Sequence, residues 1–164
     1  MREMIISGLT MDPQTNTPIV VLKDPDSETS LPIWIGLLEA TAIATELEKV
    51  EFSRPMTHDL IKNLMGHLGA KVEKVEVCDL RDNTFYVWIY LNVNGKETRI
   101  DARPSDALAI ALRADARIYV DEKVIEQSGK LDSTPKVEIK DEEAKKWTDI
   151  LENLSPEDFG KYKM

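Results

Sequence analysis

A single cysteine, Cys78, stands in this 164-residue sequence. Disulfide frameworks and paired-cysteine metal sites are thereby excluded. Cys78 lies in an alternating apolar stretch, where its expected role is that of a small buried hydrophobe. No segment reaches the roughly 20 consecutive apolar residues of a membrane span, and Met1-Arg2-Glu3-Met4-Ile5-Ile6 lacks the apolar run of a signal peptide. A cytoplasmic protein without a membrane partner is expected. Also missing are a Walker loop, a Gly-x-Gly-x-x-Gly turn and any assignable Ser-His-Asp order. Positive charge is scarce: 21 Lys and Arg against 30 Asp and Glu leave a net charge of −9. That balance repels polyanions at long range and disfavours nonspecific coating of nucleic acid. It leaves room for a nucleic-acid enzyme in which divalent cations neutralise clustered carboxylates and a few arginines mark the contact.

What is present is enough chain for one core, with 42% hydrophobic residues. Residues 3–11 and 18–22 read as strands around the turn formers Asp12-Pro13-Gln14-Thr15-Asn16. A short buried strand, Leu31-Pro32-Ile33-Trp34-Ile35, precedes a helix over 37–49 whose apolar residues recur at helical spacing. A second helix spans 57–67 and stops at Gly69. Alternation returns over 70–79 and is cleanest over 84–93, and Asn94-Gly95 signals a tight hairpin into 96–102. That turn sets Tyr90 opposite Arg99, Trp88 opposite Asp101 and Tyr86 opposite Arg103, leaving Phe85, Val87, Ile89 and Leu91 to meet Ile100 and Ala102 on the core side. A third helix begins near residue 104. Its Asp106-Ala107-Leu108-Ala109-Ile110-Ala111 echoes Glu39-Ala40-Thr41-Ala42-Ile43-Ala44, which fits a duplicated unit or the small-residue demand of close packing. Residues 118–120 suit a strand, and 123–127 suit either a strand or a helical turn. Residues 1–130 are expected to form one domain, and 131–164 a strand and helix extension ending in a helical tail.

Two Arg-Pro steps carry the chemistry: Arg54-Pro55-Met56-Thr57-His58-Asp59 and Arg103-Pro104-Ser105-Asp106. Each stands at an expected helix start, where proline suits the first turn, Thr or Ser caps free amides and Asp complements the dipole. Helix grammar does not explain the arginines, His58, or the repetition. Guanidinium, imidazole and carboxylate near helix N-termini can bind a phosphate or a metal-bound anion. Asp79, Asp82 and Asn83 around Arg81 are turn formers that become ligands only if folding brings them beside Asp101 or Asp106. Tyr86, Trp88 and Tyr90 can stack bases or be covered by another subunit, which makes a homo-oligomer expected.

Leu31-Pro32-Ile33-Trp34-Ile35-Gly36 with Glu39-Ala40, the first Arg-Pro phrase, Asp79-Leu80-Arg81-Asp82-Asn83-Thr84-Phe85-Tyr86 and Asp101-Ala102-Arg103-Pro104-Ser105-Asp106-Ala107 together resemble the bifunctional nuclease family, in motif order across residues 1–130. The resemblance implies an α+β domain with a mixed or antiparallel sheet, hairpins and packed helices, and cleavage of DNA and RNA. It carries over motif membership for Glu39, Arg54, His58, Asp59, Asp82, Asp101, Arg103, Ser105 and Asp106. In a metal-assisted phosphodiester hydrolysis, Glu39, Asp59, Asp82, Asp101 and Asp106 are the expected ligands of Mg²⁺ or Mn²⁺. His58 would activate water, Asp59 and Asp106 would assist, Arg54 and Arg103 would offset phosphate charge, and Tyr86, Trp88 and Ser105 would bind substrate. The alternatives are a non-catalytic oligomeric binding module and a small phospho-ligand sensor.

Overall fold

The computed structural model describes residues 1–130 and Asp149. Its strands are β1 (Arg2–Met11), β2 (Pro18–Lys23), β3 (Ser30–Trp34), β4 (Ala70–Arg81), β5 (Thr84–Val93), β6 (Lys96–Ala102) and β7 (Arg117–Val120). They form a seven-stranded sheet in the order β3-β2-β1-β7-β4-β5-β6. Every pairing is antiparallel except β4 with β7, so the sheet is mixed. The helices are α1 (Leu37–Leu47), α2 (Thr57–His67), α3 (Pro104–Ala114) and α4 (Glu122–Lys130). This is the expected α+β arrangement. Residues 123–127, ambiguous in sequence, belong to α4; the expected C-terminal strand and helical tail fall outside the described residues.

Turn chemistry sets the central hairpins. Asp82 and Asn83, and again Asn94, adopt φ of 49°, 59° and 52°, with Gly95 at 83°. Left-handed pairs of this kind match the strand twist, and Asn, Asp and Gly tolerate them with little strain. The resulting register sets Tyr90 against Arg99 and Trp88 against Asp101, as the sequence requires. Val87, Ile89 and Leu91 then point into the core beneath the helices, while Tyr86, Trp88 and Tyr90 occupy the opposite face. Ile100 departs from expectation. It is 51% exposed, because β6 is the terminal strand and is exposed along almost its whole length. The alanines of α1 and α3 serve close approach: Ala40, Ala44, Ala107, Ala109 and Ala111 are all buried, and the two helices pack on each other.

One buried side chain joins the three helices above the sheet. Arg113, in the last turn of α3, donates through Nε to Asp59 Oδ1 at 2.7 Å, through Nη1 to the Ala109 carbonyl and through Nη2 to the Ala42 carbonyl of α1. Asp59 lies in the first turn of α2, a helix with no fully buried residue. Its other oxygen accepts the Met56 amide at 2.9 Å, which closes the start of that helix. The helix caps are therefore Met56 and Arg103, not Thr57 and Ser105; both cap residues are extended, and neither hydroxyl makes the expected capping bond. Removing one partner of a buried pair strands the other charge. Arg113→Met should therefore cost about 2–4 kcal/mol in urea unfolding, below the full buried-pair value because Asp59 retains contact with water. A loss under about 1 kcal/mol would show that α2 is held by its apolar contacts alone.

Candidate functional site

The N-terminal turns of α1, α2 and α3 meet at Asp106. Its Oδ1 lies 3.0 Å from His58 Nε2, and its Oδ2 accepts Arg103 Nε at 2.8 Å. Arg103 reaches on through Nη1 to Glu39 Oε1 at 3.0 Å. Among the described residues Nη2 of Arg103 takes no partner, and the side chain is 64% exposed. Glu39 folds back over its own helix start, against Gly36, and a side chain at that position would collide with its carboxylate. Burial of Asp106 works to raise its pKa, but the Arg103 and His58 hydrogen bonds outweigh it and hold the pKa below 3.8. An ionised carboxylate only accepts, so His58 Nε2 carries the proton in this contact, and in the neutral ring Nδ1 is the accepting nitrogen. Asp106, followed by Glu39, in turn raises the Arg103 pKa and secures its charge.

Two cavities adjoin this chain of contacts. One, of about 560 Å³, is walled by Leu38, Thr41, Phe52, Met56 and Ile61, with His58, Asp106 and Arg103 on its polar side. The other, of about 390 Å³, is lined by Trp34, Asn83, Phe85, Tyr86, Asp101 and Ser105 among others. Glu39 and Arg103 line both and form their shared wall.

The structure thus gathers Glu39, His58, Arg103 and Asp106, and sets Asp101, Ser105 and Tyr86 in the neighbouring cavity. It separates the rest. Asp59 is committed to Arg113 and the helix start, which leaves it no oxygen facing the His58 contact. Arg54, in the bend before α2, is exposed, makes no ion pair among the described residues and lines neither cavity. Asp82 is exposed and lines neither cavity, whereas Asn83, next to it in the same left-handed turn, lines the second. Trp88 is covered by Arg99, 4.4 Å from its ring centroid, and lines neither cavity. The expected metal set does not assemble: no group of three or more His, Cys, Asp or Glu side chains placed to hold an ion occurs among the described residues. Between Glu39 and Asp106 the positive group is the Arg103 guanidinium.

Residues 20–132 match the bifunctional nuclease domain. The chain belongs to the bifunctional nuclease domain family. An uncharacterized protein of Mycobacterium tuberculosis is 39% identical over 164 residues, covering 97% of this chain and 98% of that one. Bifunctional nuclease 1 of Arabidopsis thaliana is 29% identical over 130 residues, or 72% of this chain and 39% of the plant protein. Bifunctional nuclease 1 of Oryza sativa subsp. japonica is 27% identical over 114 residues, or 67% of this chain and 34% of its own. The chain therefore spans little more than a third of the plant proteins it matches.

Both Arg-Pro phrases of this bifunctional nuclease domain start helices that converge on Asp106. No helix among the described residues is long and apolar enough to cross a membrane. The residue that sequence reasoning missed is Arg113, although a lone Arg seven positions after Asp106 in an Ala-rich helix sits on the same face. Trp34 was visible only as part of a strand; nothing local sets it beside Tyr86. Asp59 has its pKa held below 3.8: burial opposes this, and the Arg113 and Met56 hydrogen bonds prevail. A depressed folded pKa makes the unfolded chain bind more protons, so the stability contributed by Asp59 and Asp106 is present above 3.8 and is lost as pH falls through the folded values. Thermal unfolding between about pH 7 and about pH 2.5 should show this acid loss, and Asp59→Asn should flatten it. An unchanged acid slope in that variant would contradict the pairing.

Proposed function

We propose that this domain hydrolyses phosphodiester bonds of DNA and RNA with low sequence preference at the cleft where His58, Asp106 and Arg103 meet. The single observation carrying the reading is that one carboxylate, Asp106, holds an imidazole with one oxygen and a guanidinium with the other, at 3.0 and 2.8 Å. His58 Nδ1 takes the proton of the attacking water as its oxygen bonds to phosphorus, the P–O bond to the leaving sugar oxygen breaks and that oxygen is protonated from solvent. Asp106 fixes the ring and supports the imidazolium that forms. Arg103 offers the remaining N–H donors of its fork to the phosphate oxygens, where negative charge builds in the transition state. Glu39 braces the guanidinium from the far side, so the fork is already aimed before substrate arrives. Three helix N-termini at the same place add their partial positive charge. Nuclease names among the plant relatives support the choice of substrate class.

Cleavage of labelled single-stranded DNA and RNA in Mg²⁺, in Mn²⁺ and in chelator tests this, the ion series being needed because the carboxylates among the described residues do not assemble into a donor set. His58→Gln should lower the rate by roughly 10²–10⁴-fold while unfolding at the wild-type temperature. Asp106→Asn should fall comparably. Cleavage by a folded His58→Gln protein at the wild-type rate would end the proposal.

A homo-oligomer is a second proposal, favoured by Leu60 and Leu64 of α2 and Leu68 at its C-cap, which repeat every four residues and are 50%, 53% and 73% exposed. Sedimentation should show an assembly that Leu64→Glu dissociates; a monomer at every concentration would remove it.

A further inference from the structure

The second cavity is unused by the hydrolysis just described, and its walls are chemically specific. Trp34 and Tyr86 are 38% and 39% exposed, and Phe85 shares the lining with them. These aromatics are held in place rather than loose. The Trp34 indole N–H donates to Asp12 Oδ2 at 3.0 Å, and the Arg81 guanidinium lies 4.9 Å from the Tyr86 ring centroid, covering one face of it. Aromatic side chains fixed in this way favour a flat, uncharged ligand that can stack. The polar groups of the lining add a direction. Asn83 and Ser105 carry amide and hydroxyl groups, and Asp101 is a carboxylate that accepts no hydrogen bond among the described residues. A free carboxylate on the rim rewards a ligand bearing an amine donor. Arg103, two residues after Asp101, lines the same cavity and also faces the hydrolytic cleft. A ligand suited to this space would therefore combine a phosphate, for Arg103, with an amine-bearing ring, for Asp101 and the aromatics.

We propose that this cavity is a subsite for one nucleobase carrying an exocyclic amine, belonging to the nucleotide whose phosphate rests on Arg103. Trp34 and Tyr86 stack the ring, and Asp101 accepts the amine. The proposal rests on the nuclease reading for the placement of the phosphate and goes beyond it in giving the domain a preference for the base. The Glu39–Arg103 pair then acts as a ridge over which the backbone passes, with the base on one side and the reacting bond on the other. A base can enter only when it is unpaired, since its amine edge would otherwise be taken by its complement.

Cytidine and uridine 3′-monophosphates test this directly, because they share charge and shape and differ along one edge of the ring, where cytosine carries the amine and an accepting N3 and uracil a carbonyl and an N3–H. Calorimetric titration of the full chain should give about tenfold tighter binding of the cytidine nucleotide. Asp101→Asn should bring the two within about twofold of each other, and Trp34→Leu should weaken both by about tenfold. Tyr86→Leu serves as the second stacking variant should Trp34→Leu fail to fold. Equal binding of the two nucleotides by the wild-type chain, or a preference that survives Asp101→Asn, would overturn the subsite. The hydrolytic reading fails separately. His58→Gln lies outside this cavity and should keep the base preference, so discrimination without strand cleavage would retain the subsite and discard the nuclease mechanism, and cleavage without discrimination would do the reverse.

Discussion

The candidate site depends on the contact between Arg113 and Asp59. Helix α2 has no fully buried side chain, so apolar burial alone gives it a weak hold on the rest of the molecule. Adjacent residues at its start nevertheless reach two points on α3 that lie seven positions apart: His58 to Asp106 and Asp59 to Arg113. Seven helical residues span about 10 Å, so the first turn of α2 is fastened across two turns of its neighbour. Arg113 also binds a carbonyl of α1, and a guanidinium with five donors is the side chain suited to joining three elements from a buried position. The imidazole is therefore placed by an interaction that does not touch it.

Two carboxylates that look equivalent in sequence are thereby given different work. Asp59 spends one oxygen on Arg113 and the other on a backbone amide, and it fixes geometry. Asp106 spends its oxygens on His58 and Arg103, both of which face a cavity. The difference comes from exposure of the partner. The Arg113 side chain is 5% exposed, whereas that of Arg103 is 64% exposed and can trade water for a substrate oxygen at little cost. Such an exposed pair adds little stability, which leaves it available for binding rather than for holding the fold.

Much of the scaffold was readable because local rules decide it. Asn94-Gly95 fixed the hairpin register, α2 occupies 57–67 as its apolar spacing indicates, and Pro104 opens α3. The convergence of Glu39, His58, Arg103 and Asp106 was legible only as repeated phrases at helix starts; their distances depend on how α1, α2 and α3 pack. Arg113 was hidden for a physical reason. An arginine reads as a surface residue unless its partner is known, and that partner lies 54 positions earlier in the chain. Ile100 misled in the opposite way, since alternation assigns it to the core side but cannot tell that β6 ends the sheet. Asp82 and Asn83 show the same limit: both were recognisable as turn formers, and only the turn's position decides which of the two meets the cavity.

The charge of −9 constrains how any polyanion is held. Attraction at long range is absent, so binding must come from contacts made within a few ångströms, where the Debye length no longer averages over the whole surface. Arg103 provides one such contact, aimed by Glu39 and Asp106. One guanidinium releases few counterions, which makes it a weak grip on a backbone by itself. Apolar and aromatic surface must then supply the remainder, and the two cavities on either side of the Glu39–Arg103 wall are where the described residues offer it. On the proposed reading, a chain this acidic would recognise a nucleotide by its ring and a single phosphate, rather than by the length of its backbone.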